Sequence, residues 1–287
     1  MITGASKGLG KQLALECARR KMNLILVSLP NENLEGLSME IASSYQIHVS
    51  YREIDLTVRS SVEDLARWVN EDFAVSMVIN NAGIGGSHIF TDCTTDYLDS
   101  IIQLNINAMV LLTRLLLPQL KMRQNAYILN VSSLAAFSPI PYKTVYPASK
   151  VFIHNFSLGL KAELKDTNVS VSVLSPGPML TNSDVSKRIN GQSLYVKRSI
   201  LAADKIAPIA IKKLLKGRAV IIPGFINKFT AFMIRMVPVS VRIHVGTNIF
   251  KRELKKKQTK QVDESTYYRS NGTLRQQPDQ PALKRKI

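Results

Sequence analysis

Short apolar runs and longer amphipathic stretches alternate along most of this chain. Runs rich in β-branched residues fall at Asn23–Ser28, Ile47–Ile54, Val75–Asn80, Ala126–Ser132, Val169–Leu174 and Ala219–Ile222. Between them, apolar positions recur at helical spacing over Leu9–Lys21, Leu34–Tyr45, Ser60–Asp72, Asp96–Leu120, Tyr146–Lys165 and Ala202–Lys216. Strands that are nearly all apolar, each followed by a helix, predict a parallel sheet covered on both faces. The expected fold class is α/β, a doubly wound parallel sheet. No internal repeat is visible.

Two places break the alternation. Only Met1-Ile2-Thr3 precede the first glycine, where a central strand usually has about five or six residues. Either that strand is short or the chain as given starts inside a longer one. A central, parallel first strand of about three to five residues is expected. After Pro223-Gly224 the strand–helix rhythm stops. Phe225, Phe229, Phe232, Met233 and Met236 lie at helical spacing and Pro238 ends the run. This predicts a small helical extension over Phe225–Val237, packing apolar side chains near the substrate cleft. The expected division is a catalytic domain over 1–224, an apolar and basic helical extension over 225–256 and a disordered basic tail over 257–287. That tail has too few apolar residues to fold.

Composition narrows the functional classes. A chain of 287 residues with 45% hydrophobic content can bury one substantial core or two. Cys17 and Cys93 make neither a disulfide framework nor a metal spacing, which fits a reducing, cytoplasmic setting. His48, His88, His154 and His244 are scattered, so no metal site is expected. No early run reads as a signal peptide. No stretch reaches the roughly 18 uncharged apolar residues of a membrane-spanning helix.

The formal net charge is +17, and the last stretch, Lys251–Ile287, holds eleven basic and four acidic residues. Such a balance suits nucleic acid, an anionic membrane surface or an anionic cofactor. Aromatic residues do not interleave with the basic run, so no nucleic-acid partner is expected. An amphipathic stretch followed by a Lys/Arg cluster reads instead as attachment to an anionic membrane surface.

The candidate chemistry begins with Gly4-Ala5-Ser6-Lys7-Gly8. G-x-S-x-G is the turn that carries the nucleophile of α/β-hydrolases, yet Gly4, Gly8 and Gly10 also suit a turn against a pyrophosphate. A hydrolase nucleophile follows several strands, whereas this turn is the first of the chain, and no acid–His pair suggests itself at later strand ends. The dinucleotide reading uses the whole turn. Gly4 permits the bend, Gly8 lets the backbone approach, Gly10 lets the helix pack on the strand, and the helix starting near Leu9 aims its N–H groups at the phosphates. Ser6 is then a spacer in a cofactor loop.

Further stations follow in order: Asp55-Leu56-Thr57, Asn80-Asn81-Ala82-Gly83, Asn105, Ser133, Tyr146-Pro147-Ala148-Ser149-Lys150 and Pro176-Gly177 through Thr181. Together with TGASKGLG they resemble the short-chain dehydrogenase/reductase family over roughly Met1–Gly224, and most closely its lipid- and steroid-type ketone reductases. The resemblance implies a Rossmann fold, an NAD(P)-dependent oxidoreductase and a homo-oligomer. It implies that Ser133 polarises the substrate carbonyl, Tyr146 exchanges the proton, Lys150 assists the phenol and Asn105 holds a proton-relay water. It assigns Asp55, Leu56, Asn81, Ala82 and Gly83 to the adenosine side, and Pro176, Gly177 and Thr181 to the nicotinamide.

The residues themselves add a physical reason. Tyr146 and Lys150 stand four apart on a predicted helix, so both leave one face. A neighbouring ammonium is expected to lower the phenol's pKa. Near the second strand an acid would bond the ribose 2′-hydroxyl and a base the 2′-phosphate. Ser28-Leu29-Pro30 carries neither charge, Lys7 is the nearest cation, and Ser28 can donate a hydrogen bond. NADP(H) is therefore the expected cofactor and NAD(H) the alternative. The C-terminal apolar segment suits a small-molecule lipophilic ketone. The rival readings are an NAD-linked alcohol dehydrogenase and a non-catalytic dinucleotide-binding scaffold at a membrane.

Overall fold

The computed structural model describes residues 1–86, 88–179, 199–244 and 246–247. Thr181, most of the segment 182–203 and the tail beyond 247, on which several of the expectations above fall, lie outside the described residues. Within them the chain forms one parallel seven-stranded sheet of order β3-β2-β1-β4-β5-β6-β7. The strands are β1 (Ile2–Thr3), β2 (Leu24–Ser28), β3 (Val49–Glu53), β4 (Met77–Asn80), β5 (Ala126–Val131), β6 (Val169–Leu174) and β7 (Val220–Ile221). The α-helices are α1 (Gly8–Arg19), α2 (Leu34–Tyr45), α3 (Arg59–Asp72), α4 (Thr95–Ile102), α5 (Ala108–Lys121), α6 (Val145–Glu163), α7 (Ala203–Leu214) and α8 (Phe225–Met236). Each lies close to its predicted range.

Both faces of the sheet are covered, which is why the central strands are apolar throughout. On one face Leu13 of α1, Leu34 and Ile41 of α2, and Ile206 and Leu214 of α7 pack against Ile2, Leu26 and Leu129. On the other, Val62 and Leu65 of α3 and Leu112, Leu116 and Leu120 of α5 pack against Val27, Val78 and Ile128. The edge strand β3 departs from the all-apolar expectation. Its sequence Val-Ser-Tyr-Arg-Glu is half-exposed, because it pairs with β2 on one side only.

β1 is central and parallel, but its two residues are fewer than expected. The turn at Gly4 bends the chain away early. Flanking bonds extend the pairing: the Ile79 amide donates to the Met1 carbonyl at 2.9 Å and the Ala5 amide to the Val27 carbonyl at 3.0 Å.

Two helices qualify the expectations. The unbroken helical stretch Thr95–Lys121 is long and apolar enough to cross a membrane, although Arg114 keeps it from holding 18 uncharged residues in a row. In this fold its Leu112, Leu116 and Leu120 are fully buried in the core against α3 and the sheet. The helix α8 forms as predicted, but it turns Phe225, Phe229, Phe232, Met233 and Met236 outward and buries Asn227 and Ala231.

Candidate active site

A parallel sheet opens a crevice where strand order reverses, here between β1 and β4. The turn after β1 is built for close approach. Gly4 adopts φ 64° and Gly8 φ 57°, a region that side chains disfavour. A methyl group on Gly10 would stand 1.9 Å from the Gly4 carbonyl oxygen and 2.6 Å from Asn81 Nδ2. Only glycine lets α1 start so near the strand. Around a methyl placed at Gly8 there is nothing within 4 Å, and Lys7, the residue preceding α1, makes no side-chain cap. The first N–H groups of α1 therefore face open space beside a bare backbone turn, the environment an anionic pyrophosphate requires.

Thr3 ties this turn to the segment after β4. Its Oγ1 accepts the Asn81 and Ala82 amides, both at 3.0 Å. Asn81 Nδ2 returns two bonds, to the Thr3 carbonyl at 3.0 Å and the Gly4 carbonyl at 3.1 Å. The NNAG segment is thus a clamp on the glycine turn. Thr3 was not singled out from the sequence; its place as the last residue of β1, opposite β4, is the signal.

A second group gathers at the ends of β4 and β5. Helix α4 runs into a π-helical turn, Gln103–Asn107, before α5. This local widening, a feature often found at functional sites, carries Asn105 into the interior. Asn105 Oδ1 accepts the Ile84 amide, and its Nδ2 donates to the Ile84 carbonyl and to Ser149 Oγ, all at 2.9 Å. Ser149 Oγ donates in turn to the Tyr146 carbonyl at 2.7 Å. A methyl at Gly83 would lie 3.0 Å from Asn105 Oδ1 and 3.4 Å from Lys150 Nζ. Asn105 and Lys150 therefore converge over Gly83.

Tyr146 and Lys150 share one face of α6. Lys150 Nζ donates to the Val131 carbonyl at 3.0 Å and lies 5.6 Å from the centre of the Tyr146 ring. The ring itself rests on Gly85, where a methyl would come within 2.3 Å of Tyr146 Cδ2. Gly85 is a second residue the sequence did not flag. Of the paired serines, Ser132 is buried and donates to the Lys150 carbonyl at 2.7 Å. Ser133 begins a short 3-10 turn, Leu134–Phe137, accepts the Ala135 amide at 3.1 Å and hydrogen-bonds Tyr146.

Burial governs the proton affinities here. Desolvation raises the Tyr146 phenol above its ordinary value, and the Ser133 hydrogen bond offsets only part of this. Desolvation also holds the Lys150 ammonium down to about 8. The expected lowering of the phenol is thus reversed. The physical reason is that both groups are buried, and the ammonium is directed at the Val131 carbonyl rather than at the phenolic oxygen.

Comparison with known proteins places this geometry. Residues 1–191 match the family model described as short chain dehydrogenase. The chain belongs to that family. It is 35% identical over 192 residues to the very-long-chain 3-oxoacyl-CoA reductase of Anas platyrhynchos, a match covering 65% of this chain and 62% of that protein. It is 33% identical over 209 residues to 17-beta-hydroxysteroid dehydrogenase type 3 of Mus musculus, covering 70% and 67%. The solved short-chain dehydrogenase from Sphingobium yanoikuyae in complex with NADPH superposes with a TM-score of 0.70 at 27% identity, over 78% of this chain and 87% of that one. The chain spans less than two thirds of the length of the first of these relatives.

Short-chain dehydrogenases are NAD(P)(H)-dependent oxidoreductases, and the glycine cradle fits such a dinucleotide. Other sequence-predicted cofactor residues fall into distinct environments. Leu9 and Leu56 are buried core residues. Asp55 accepts both the Thr57 amide and hydroxyl at 2.8 Å, closing a local turn after β3. Ser28 is buried and directs its hydroxyl to the Leu29 carbonyl at 3.1 Å, so it is engaged locally. The Pro176 carbonyl accepts the Leu134 amide at 2.9 Å, fixing that segment beside Ser133. Gly177 lies against Asn227 of α8, where a methyl would meet Asn227 Oδ1 at 2.5 Å. That oxygen is buried without a hydrogen-bond partner, and Asn227 too was missed in the sequence.

The largest departure is at the β2–α2 loop. An acid is present after all, two residues beyond the stretch inspected in the sequence: Glu32 Oε1 is 2.5 Å from Lys7 Nζ, and its Oε2 accepts the Ser6 hydroxyl. Lys7 and Ser6, expected to face the cofactor, face this carboxylate.

Proposed function

We propose that this protein is an NADPH-dependent reductase that converts a ketone of a lipophilic substrate to the alcohol. The observation that carries the reading is the convergence of Ser133, Tyr146 and Lys150, with Ser133 hydrogen-bonded to Tyr146 and the Lys150 ammonium 5.6 Å from the centre of its ring. Reduction needs a proton donor, and a raised phenol pKa keeps Tyr146 in the donor form at neutral pH. When bound, the reduced nicotinamide supplies the hydride. Ser133 Oγ holds the carbonyl oxygen and polarises it. Tyr146 delivers its proton to that oxygen as it becomes an alkoxide. Lys150 lies behind the phenol, and its amine–ammonium equilibrium near neutral pH suits restoration of that proton through the polar chain that Asn105 anchors. Gly4, Gly8 and the start of α1 hold the pyrophosphate, and Pro176-Gly177 holds the nicotinamide end.

The names of the two relatives, a 3-oxoacyl-CoA reductase and a hydroxysteroid dehydrogenase, the NADPH in the Sphingobium structure and the apolar C-terminal surface support the lipophilic ketone. The test is a panel of bulky and small ketones with NADPH, following its absorbance. Oxidation of NADPH with bulky apolar ketones supports the reading, and no oxidation with any of them overturns it.

The same reading includes attachment to an anionic lipid surface. Phe225 is 83% exposed, Phe232 60% and Met236 68%, so α8 presents an outward apolar face. Lys228, Arg235 and Arg242 flank it, and no Asp or Glu occurs anywhere from Lys205 to Arg252. Cations beside an exposed aromatic helix match anionic headgroups over acyl chains. Arg235 stacks 4.6 Å over Phe137 and Arg242 Nη1 donates to the Phe137 carbonyl at 2.6 Å, four residues beyond Ser133. A lipophilic ketone would thus leave the bilayer close to the carbonyl-binding serine.

A further inference from the structure

We propose that Asn227 is a positioning residue: from the inner face of α8 it holds the turn after β6, and so sets where the nicotinamide end of the cofactor lies. The inference rests on the dinucleotide reading above and adds α8 to it. Three connections meet at this side chain. They are the turn Pro176-Gly177 after β6, the stretch 199–201 that leads into α7, and the turn Pro223-Gly224 after β7. Two of them leave the C-terminal ends of strands, where an open α/β sheet holds its ligands.

The contacts are specific. Asn227 is buried, and its Nδ2 donates to the Ser199 carbonyl and the Pro223 carbonyl, both at 3.0 Å. The amide group fills the space where a side chain on residue 177 would stand. A methyl there would meet Oδ1 at 2.5 Å and Cγ and Nδ2 at 2.7 Å. Gly224 is closed in the same way, by Leu201 Cδ1 at 2.9 Å and Asn227 Nδ2 at 3.3 Å. The missing side chain at Gly177 and the amide at Asn227 are therefore matched in shape.

Two observations set this residue apart from ordinary core packing. A hydrophobic residue of similar size would leave no polar atom stranded, whereas Asn227 Oδ1 is buried without a hydrogen-bond partner among the described residues. A stranded oxygen costs stability, so its presence calls for a role beyond filling space. The second observation is how little of α8 is buried. Of its twelve residues only Asn227 and Ala231 are, so Asn227 ties the first turn of the helix to the site. The turn after β6 is thus gripped from two sides. The Leu134 amide holds the Pro176 carbonyl beside Ser133, and Asn227 lies against Gly177. Without Asn227 one side of that grip is lost, while the glycine turn after β1 is untouched.

The two ends of the cofactor therefore respond differently to Asn227→Ala. Isothermal titration of the purified full-length protein with NADPH and with 2′-phospho-ADP-ribose, the same molecule without its nicotinamide, reads each end. NADPH should bind about ten-fold more weakly than to wild type, as expected when a hydrogen-bonded tie is lost, and 2′-phospho-ADP-ribose should stay within a factor of about two. A merely structural role would weaken both alike. Equal loss, or loss of neither, overturns the proposal and leaves the reductase reading intact. Binding of neither ligand by the wild-type protein overturns the dinucleotide reading as well. A size swap decides the matter if Asn227→Ala does not fold. Gly177→Ala drives a methyl into Asn227 and should cause the same selective loss. Adding Asn227→Ser makes room for that methyl and should restore part of the NADPH affinity. Losses that simply add would overturn the proposal.

Discussion

The two ends of the candidate site are built differently. At the Ser133–Tyr146–Lys150 end, carried on a strand end and a long helix, Lys150 is buried with Ser132 beside it, and the bonds of these two to main-chain carbonyls hold the half-buried Ser133 and Tyr146 in place. The Ser6–Lys7–Glu32 end is an ion pair between two loops, with the Lys7 side chain 78% exposed. Chemistry that must not vary sits where burial fixes geometry and shifts proton affinities. The proposed recognition of a ribose substituent falls where charges are solvated and single substitutions have modest effects. The catalytic end should therefore respond to mutation by orders of magnitude, and the cofactor end by small factors.

The largest effect is expected at Tyr146. Tyr146→Phe removes the proton donor without changing shape, so turnover should fall by roughly 10²–10⁴-fold while NADPH binding stays within a factor of about two. Retention of more than about a tenth of wild-type turnover would break the contrast at its strongest point.

Lys150→Met comes next and separates function from stability. A buried ammonium held at about 8 rather than 10.5 carries a folding cost of roughly 3 kcal/mol at neutral pH. Losing the bond to the Val131 carbonyl returns about 1 kcal/mol of that. The variant should be inactive yet about 2 kcal/mol more stable in denaturant melts at pH 7. The sign with pH follows from proton counting. The folded protein releases this proton at about 8 and the unfolded chain at 10.5, so wild-type stability gains between those values as pH rises. The advantage of the variant should shrink across that window. A variant that is less stable than wild type at pH 7 would mean that the ammonium's contacts outweigh its desolvation.

At the cofactor end, Lys7→Ala should weaken NADPH about ten-fold, the low end of a charge-assisted contact because the side chain is exposed, and leave NADH nearly unchanged. Equal weakening of both would show that Lys7 acts on the shared pyrophosphate. The smallest effect expected is at the surface. Vesicles containing an anionic phospholipid should retain the wild-type protein at low salt and release it at high salt. Replacing Phe229 and Phe232 by Glu should reduce that retention several-fold without altering turnover on a soluble ketone. Unaltered retention would move any lipid contact away from α8.

The same contrast explains what could be read from the sequence. Strand and helix ranges were legible because both faces of the sheet are covered, and apolar runs and amphipathic periods leave plain marks. The stations from Gly4 to Gly177 were legible because they follow one another in a fixed order, most at strand ends and the others on the helices after β4 and β5. The direction of the Tyr146 shift was not, since spacing on a helix brings Lys150 near without revealing that its ammonium points to Val131 and that both groups are desolvated. The place of Glu32 was not legible either, since it lies beyond the end of β2 and the left-handed turns at Asn31 and Asn33 carry the acid back to Ser6. Thr3, Gly85 and Asn227 act through contacts across 76 to 79 residues or between loops, which local pattern does not encode.

The central claim is that Tyr146 protonates a ketone oxygen while hydride arrives from the nicotinamide. Its most direct test is incubation of the protein with a bulky apolar ketone and NADPH carrying deuterium at the transferable position of the nicotinamide ring, followed by mass spectrometry of the alcohol. The account predicts one deuterium on the carbinol carbon of the wild-type product, and a matching product from Tyr146→Phe formed at least about a hundred-fold more slowly. An alcohol without deuterium, or equal rates for the two proteins, would contradict it.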